Sequence, residues 1–384
     1  MQQLIEKEKA IIEKKRDEVA RKFYQCIQEA ENVKGLVVAD SQFGCLWIDV
    51  NGIVHQNTLT DYRSLASDRL RYDKTKKDET TISHEVEKHG VDVVDFKTGP
   101  GFMVMLKKDG TVDKFLPLND GTLVEEKYGG STSSWNDIVA IDCNGSTIVG
   151  LKKDGTVLAT GRNEHGECAV EKWNHVIKVA MGAYNCYGLR DDGTVLVSGE
   201  DDFGTIKAAS WDNIIDIAAG SRAVIGLRRD GTVVTSGMEA NEKNNWCDIV
   251  RIFAGPRALI GLKANGTINY LVGHKLEDIV KEGILAFEGI VDVFITPFVL
   301  FGRREDGTVA AIWLAKTDNK KADIIASWSD VVGMYAYKTS DVIAVKRDGT
   351  LISTDSTVES LLEGVKVFDN ISTIVLEREK ADKE

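Results

Sequence analysis

Few side chains in this sequence stand at spacings that support catalysis or metal binding. The two nearest histidines, His84 and His89, are five residues apart, so they do not share a helical face as an i, i+4 zinc pair would. We find no P-loop, no G-x-S-x-G elbow and no G-x-G-x-x-G after a predicted strand. The sequence therefore predicts no metal, no cofactor and no enzymatic activity.

The cysteines also lack a metal-binding or redox spacing. They are Cys26, Cys45, Cys143, Cys168, Cys186 and Cys247. None forms a C-x-x-C pair, and the amino-terminal segment has no apolar core of the secretory kind. We therefore expect free thiols in a reducing compartment and a cytoplasmic protein.

The most regular acidic residues are the aspartates of a recurring Asp-Gly-Thr sequence. Each stands alone in its own short segment, whereas a calcium loop needs several oxygen ligands close together in sequence. Turn formation is sufficient to explain them, so we assign them no role in a site.

One set of residue types is suited to binding a partner. Equivalent positions, five residues before the aligned leucine of a repeated strand, carry Gly101, Ser146, Tyr184, Arg222 and Arg257. Tyrosine and arginine are enriched at interface hot spots, and two arginines can bind a carboxylate or a phosphate through paired hydrogen bonds. We predict a partner-binding site formed by Tyr184, Arg222 and Arg257. The alternative is that each arginine only pairs with a nearby acid such as Asp216.

These positions belong to an internal repeat. LKKDGTV occurs twice, LRDDGTV and LRRDGTV are near-copies, and LKANGTI, RREDGTV, VKRDGTL and a weaker WIDVNGIV extend the series. The turn glycines are Gly52, Gly110, Gly155, Gly193, Gly231, Gly266, Gly307 and Gly349. Each copy predicts a tight hairpin, because glycine supplies a positive φ and Thr-Val restarts a strand.

A second landmark keeps the same register. Aromatic residues stand about 20 residues before each later turn glycine: Trp135, Trp173, Trp211, Trp246, Phe287 and Trp328. A β-branched segment follows each of them. We expect these aromatic side chains to fill the core between adjacent sheets rather than to bind a ligand.

Units of about 40 residues with three or four short antiparallel strands predict an all-β fold, a single β-propeller over residues 34–380. About seven four-stranded blades are expected, and the eight turn signals leave eight blades open. Residues 365–377 resemble two strands of a unit without its turn. We expect them to pair with strands near residues 36–55 and so to close the ring.

The repeat pattern resembles a known family. It reads W-x-x-[IV]-[IV]-x-[IV]-x-x-G, then G-L-[KR]-x-[DN]-G-T-[VI], then G-x-N-x-x-G, and the unit from Trp135 to Gly166 fits it best. This pattern resembles the regulator of chromosome condensation repeats in their short bacterial form, over roughly residues 91–351. The resemblance implies a propeller, usually seven-bladed, in a bacterial protein. The histidine of the family's G-x-x-H is replaced by Asn185, Ala223 and Ala258, so that family contact is not carried over.

Two regions lie outside the repeat. Residues 1–33 predict one amphipathic helix, in which Ile5, Ile12, Val19 and Cys26 recur every seven residues. This helix either lies across the propeller, extends into solvent, or mediates self-association; the facing heptad positions are not apolar, which disfavours the last. Residues 58–90 form a charged insertion between the first and second units, which we interpret as a solvated loop or a functional one.

Charge and hydropathy narrow the choice of partners. The 384 residues include 60 acidic and 48 basic side chains, for a net charge of −12, so the sequence predicts neither a nucleic-acid nor a membrane partner. The apolar stretch 283–302 is interrupted by Glu288, Asp292 and Pro297, and we assign it to two strands. The chain is thus expected to be a non-enzymatic scaffold that binds a protein partner through one end of the propeller. The alternative, suggested by the family, is a regulator of a GTPase or an enzyme inhibitor.

Overall fold

The computed structural model describes the chain in segments. They are residues 37–40, 44–48, 54–57, 90–99, 102–117, 123–124, 130–144, 146–201, 204–237, 245–273, 276–314, 320–337 and 341–356, with residues 359 and 363. The predicted helix 1–33, the closing strands 365–377 and almost all of the insertion 58–90 lie outside these residues, and so does Gly52.

Eight antiparallel sheets follow one another along the described chain. Sheet 1 is β1 (Val37–Asp40), β2 (Gly44–Ile48) and β3 (Val54–Asn57); sheet 2 is β4 (Val93–Gly99), β5 (Phe102–Lys107), β6 (Val112–Pro117) and β7 (Leu123–Val124); sheet 3 is β8 (Ile138–Asn144), β9 (Thr147–Lys152) and β10 (Val157–Gly161); sheet 4 is β11 (Val176–Met181), β12 (Asn185–Arg190) and β13 (Val195–Gly199).

The second half of the chain repeats this order. Sheet 5 is β14 (Ile214–Ala219), β15 (Ala223–Arg228) and β16 (Val233–Gly237); sheet 6 is β17 (Ile249–Ala254), β18 (Ala258–Lys263) and β19 (Ile268–Val272); sheet 7 is β20 (Ile290–Ile295), β21 (Val299–Arg304) and β22 (Val309–Trp313); sheet 8 is β23 (Val331–Tyr337), β24 (Asp341–Lys346) and β25 (Leu351–Ser353). Helices α1 (Glu277–Gly283) and α2 (Lys320–Ala326) and two 3-10 helices (Thr205–Ser210 and Ile284–Ala286) lie between sheets.

The first strand of each sheet is the innermost. From β1 to β20 the first strands of consecutive sheets lie side by side, and β1 also lies beside β23 of the last sheet. Sheets 7 and 8 share a buried core. The sheets therefore form a closed series around a central channel, which is the propeller arrangement predicted for an all-β repeat.

The predicted hairpin turns are confirmed. In seven copies the turn glycine has a φ between 77° and 83°. In sheet 3 the Lys152 amide donates to the Thr156 carbonyl and the Gly155 amide to the Lys152 carbonyl, both at 2.9 Å. The side chain of Asp154 accepts hydrogen bonds from the amide and the hydroxyl of Thr156, at 2.9 and 2.6 Å. The aspartates of these turns thus have a structural role, as the sequence predicts.

Six of the seven described turns are also bonded to the next sheet. The carbonyl of the turn glycine accepts a hydrogen bond from the first amide of the following sheet, at 2.9–3.0 Å. The donors are Ile138, Val176, Ile214, Ile249, Ile290 and Val331, and the acceptors are Gly110, Gly155, Gly193, Gly231, Gly266 and Gly307. A Cβ at Gly110 would lie 3.1 Å from the Cα of Asp137, so glycine is required here for close approach as well as for its positive φ.

The aromatic residue of each unit fills the core between sheets, as predicted. Trp211 is buried together with Leu189 and Val195 of sheet 4 and with Ile214 of its own sheet 5. The indole of Trp211 packs directly on Gly226 of β15, the middle strand of sheet 5. A side chain at this position would not fit, because its Cβ atom would lie 2.9 Å from the Cε3 atom of Trp211. The same close approach recurs for Trp135, Trp173, Trp246 and Phe287. Burial of a large aromatic side chain at each junction is a major source of cohesion between sheets.

The prediction of four strands per blade is wrong for most of the described sheets. Seven have three strands and only sheet 2 has four. The segment after the third strand is instead occupied by short helices in three units: the 3-10 helix Thr205–Ser210, α1 and α2. These helices bury Ala208, Val280 and Ile325 on the sheets beneath them, so they cover apolar surface without extending the ladder.

In the apolar stretch 283–302, β20 and the first four residues of β21 confirm the two predicted strands, whereas residues 283–286 belong to α1 and the second 3-10 helix. None of the helices in the described part of the chain is long and apolar enough to cross a bilayer.

The turn aspartates make the free energy of unfolding depend on pH in the acidic range. Hydrogen bonds from the threonine hydroxyl, then from its amide, lower the pKa of five aspartates below the usual 3.8: Asp109, Asp154, Asp192, Asp230 and Asp306. A lowered pKa in the folded state stabilises the protein above the pKa of the unfolded state, and this contribution is lost as the pH falls below about 4. Replacing all five by asparagine should flatten the fall in melting temperature between pH 5 and 3, measured by thermal unfolding.

Asn265 provides the internal control. It occupies the same turn position, and its side-chain oxygen accepts from the amide and the hydroxyl of Thr267 at 3.0 and 2.7 Å. Asn265→Asp should therefore steepen the acid dependence slightly while the melting temperature at pH 7 changes little. An identical pH profile for the wild type and the fivefold variant would contradict this account.

Candidate functional site

The predicted site residues lie on tight turns that join the first and second strands of successive sheets. The turns span residues 182–185, 220–223, 255–258 and 296–299. Each is closed by a hydrogen bond from the amide of its first residue to the carbonyl of its last, at 2.8–2.9 Å. These turns stand at the opposite end of the sheets from the Asp-Gly-Thr hairpins. We call the two ends the loop end and the turn end.

Neighbouring turns at the loop end touch each other. The Ala183 amide donates to the Ser221 carbonyl at 3.3 Å. A Cβ at Gly220 would lie 2.3 Å from the Gly255 carbonyl oxygen, and a Cβ at Gly255 would lie 2.5 Å from a side-chain carbon of Ile295. Small residues thus allow four successive turns to pack in series.

This packing places the predicted residues on adjacent turns. Tyr184 belongs to sheet 4, Arg222 to sheet 5 and Arg257 to sheet 6, as the repeat register requires. Both arginines are exposed and Tyr184 is half-buried. Ser146 occupies the equivalent turn of sheet 3, whereas Gly101 lies outside the described residues.

The backbone of these turns is held by the end of the third strand. The Glu200 amide donates to the Tyr184 carbonyl at 3.2 Å, and the Arg162 amide to the Ser146 carbonyl at 3.1 Å. The preceding Gly199 has a φ of 116°, and a Cβ there would lie 2.0 Å from the Tyr184 carbonyl oxygen. Gly237 approaches the Arg222 carbonyl oxygen in the same way, with its Cβ position at 2.3 Å.

Tyr184 forms an aromatic and cationic cluster with the exit loop of sheet 3. The His165 ring meets the Tyr184 ring edge-on, with centroids 5.1 Å apart. The Arg162 guanidinium lies 5.6 Å from the centroid of the same ring. Such arginine–aromatic contact is attractive because the ring face carries negative charge.

Carboxylates surround this cluster. Arg162 donates two hydrogen bonds to Glu164, at 2.7 and 3.0 Å, and this contact raises the pKa of the guanidinium. His165 Nδ1 contacts the Glu200 carboxylate. Glu167, which is buried, accepts from the His165 amide at 2.9 Å. Arg162 and His165 beside Tyr184 are therefore both already in contact with carboxylates.

Arg257 is stacked on an aromatic residue that sequence reasoning missed. Its guanidinium lies 5.5 Å from the centroid of Phe298, which stands on the next turn. In sheet 7 the aligned leucine of the repeat is replaced by Arg303. Phe298 lies five residues before Arg303, so it occupies the position that Tyr184, Arg222 and Arg257 occupy in their own sheets. Arg162 and His165 were also missed, although both lie within the G-x-N-x-x-G element.

The acid proposed as an alternative partner for the arginines has another contact. Asp216 forms an ion pair with Lys178, and in the same row of the channel Arg251 pairs with Asp292 at 2.9 Å. These pairs join the first strands of neighbouring sheets. In each of these two pairs, a basic side chain on one first strand neutralises an acidic side chain on the next.

Other titratable groups are arranged for structure. Asp142 accepts the Met181 amide of the next sheet at 2.9 Å, and burial raises the pKa of its carboxyl. Burial likewise raises the pKa of the Cys168 thiol to about 11, so this thiol is protonated at neutral pH. In the described part of the chain no three His, Cys, Asp or Glu side chains are placed to hold a metal ion.

In sheet 4 the position that carries histidine in the family's G-x-x-H sequence is occupied by Asn185, and this side chain has a structural role. The Asn185 Nδ2 group donates to the Glu200 carbonyl at 2.6 Å, and its oxygen accepts from the Thr205 hydroxyl at 3.0 Å. Asn185 is buried and does not reach the exposed face.

Comparison with known proteins identifies the repeat. The profile of the regulator of chromosome condensation (RCC1) repeat matches residues 138–167, which include β8 to β10 and the G-x-N-x-x-G loop. The resemblance predicted from the sequence is thereby confirmed. A comparison with curated proteins finds no match.

Similar solved structures have low sequence identity. The CRINKLY WD40 ectodomain of the Arabidopsis thaliana receptor kinase ACR4 is 14% identical, with a TM-score of 0.45 over 73% of this chain and 95% of that one. Prp20p from Saccharomyces cerevisiae is also 14% identical, with a TM-score of 0.41 over 75% of this chain and 76% of that one. Neither likeness is close enough to transfer a function.

The close contact beneath Arg222 can be tested with two glycines of positive φ. Gly237→Ala places a Cβ against the Arg222 carbonyl, whereas a Cβ at Gly204 (φ 73°) meets nothing within 4 Å. Gly204→Ala should cost about 1 kcal/mol of the free energy of unfolding from its left-handed backbone. Gly237→Ala should cost roughly 1–3 kcal/mol more, because the turn must also move. Urea unfolding measures both, and equal costs would show that the contact at Gly237 does not position the turn.

Proposed function

We propose that this protein is a non-enzymatic scaffold that binds a protein partner through the loop end of the ring, with Tyr184, Arg222 and Arg257 as contact residues. Phe298 extends this set to a fourth successive turn. The observation that carries the proposal is the direct packing of these turns, which brings side chains 35–41 residues apart in sequence onto one surface.

The chemistry of this face supports a protein ligand. Two exposed guanidinium groups on adjacent turns can bind carboxylates bidentately, and Tyr184 and Phe298 offer rigid aromatic surface beside them. The glycine contacts under Tyr184 and Arg222 hold the backbone in place, so little ordering is needed on binding. A rigid surface of arginine and aromatic residues is typical of interface hot spots.

The arrangement of the ring and its location are also part of the proposal. We propose eight blades, supported by the position of β1 between β4 and β23. A cytoplasmic location is supported by the thiols of Cys168, Cys186 and Cys247, which form no disulfide within the described part of the chain.

Charge reversal at the loop end tests the proposal. Tagged wild-type protein and the Arg222→Glu/Arg257→Glu variant would each be used to recover partners from cell extract, with bound proteins quantified by mass spectrometry. Loss of two hot-spot arginines should weaken a partner that uses this face by at least about 30-fold. The control is Lys153→Glu/Arg229→Glu, which makes the same charge change at exposed positions of the turn end.

A partner that is lost from the loop-end variant and kept by the turn-end variant supports the proposed face. Equal recovery by all three proteins would refute it. The alternative role, as a regulator of a GTPase or an inhibitor of an enzyme, is examined by adding the purified chain to the recovered partner. A change in nucleotide exchange or in catalytic rate would establish it.

A further inference from the structure

A row of exposed aliphatic side chains lines the channel near the turn end. The second residue of the first strand is exposed by 37–56% in five successive sheets. These residues are Val94, Val139, Ile177, Ile215 and Val250, which we call the apolar arc. Scattered apolar residues are common on protein surfaces, but residues in the same register of five neighbouring innermost strands form one continuous patch.

Each member of the apolar arc lies at a β-bulge. In sheet 4 the pairing register shifts between Val176 and Lys178, so Ile177 has no partner on the middle strand, and the same shift recurs at the other four members. A bulged residue is turned away from the ladder. Sheets 7 and 8 have the same register shift, but Val291 and Val332 are buried there, so among the sheets whose side chains the structure describes the arc comprises sheets 2–6.

The residues that precede β1 leave the ring at the same end. Val37 pairs with Trp47, near the end of β2 that leads into its hairpin, so β1 begins at the turn end of sheet 1. Because β1 is an innermost strand, its first residue, Val37, lies at the turn end of the channel, next to the sheet that carries Val94. At least 36 residues therefore start from the rim of the apolar arc.

The amino-terminal sequence suits this surface. Residues 1–33 predict an amphipathic helix with an apolar stripe that includes Ile5, Ile12, Val19 and Phe23. A helix of that length spans about 50 Å. Its seven acidic and seven basic residues balance, and the ion pairs next to the arc are mutually compensated, so charge does not oppose docking.

We propose that residues 1–33 dock as a helix on the apolar arc at the turn end. Docking buries two apolar surfaces that are otherwise in contact with water, one on each partner. It leaves the loop end open, so this inference does not depend on the partner-binding face proposed above. A second copy of the chain and an unrelated partner are the other occupants that the experiment must distinguish.

Hydrogen–deuterium exchange of the full chain, read by mass spectrometry, tests this docking. In the wild type the amides of residues 1–33 should be protected. The variant Ile177→Asp/Ile215→Asp should lower that protection by at least about 10-fold, because charged groups disrupt the apolar contact. The matched control Leu285→Asp/Ile324→Asp alters two exposed aliphatic residues outside the arc and should leave protection unchanged.

Light scattering over a range of protein concentrations accompanies the exchange measurement, and thermal unfolding verifies that each variant is folded. Concentration-independent protection in a monomer, lost only in the arc variant, supports docking in cis. Three outcomes overturn it: residues 1–33 unprotected in the wild type, protection unchanged in the arc variant, or protection that rises with concentration together with a dimeric mass.

Discussion

The hydrogen bond from the first amide of each sheet to the turn glycine of the sheet before it is the constraint on which the ring depends. It recurs in six copies at 2.9–3.0 Å. It requires a residue that adopts a positive φ and has no side chain, since a Cβ at Gly110, Gly193 or Gly307 would press on the next sheet's backbone at 2.8–3.1 Å. The aspartate before this glycine and the threonine after it hold the turn in the shape that presents the carbonyl. The aromatic plug beside it adds apolar burial to the same junction.

Because the turn end carries this constraint, its sequence repeats closely, and the loop end is free to differ between sheets. Turns 182–185, 220–223, 255–258 and 296–299 share one backbone closure, yet they present Tyr184, Arg222, Arg257 and Phe298. A rigid scaffold with variable loops at one end is suited to recognition. The exposed aliphatic residues at the start of the first strands of sheets 2–6 form a different surface, the apolar arc, at the turn end.

The sequence predicts most of what depends on local chemistry. The Asp-Gly-Thr turns, the aromatic residue of each core and the order of strands follow from spacing alone, and the structure confirms them. The short helices in place of a fourth strand were not predicted, because burial of Ala208, Val280 or Ile325 depends on the sheet below rather than on the segment itself. The contact of Arg162 with Tyr184 joins residues 22 apart through the packing of two loops. The exposure of Ile177 was not predicted either, because a β-branched residue beside Val176 and Val179 is expected to be buried in the core.

The central claim is that the glycine–amide bonds join sheets 2 to 8 into one cooperative unit. Native-state hydrogen exchange of the six donor amides, Ile138, Val176, Ile214, Ile249, Ile290 and Val331, tests it most directly. We expect all six to exchange with one free energy, equal to that of global unfolding measured with denaturant. Free energies of opening that differ from sheet to sheet by more than about 2 kcal/mol, and that fall well below the global value, would show that each sheet opens on its own and would contradict the claim.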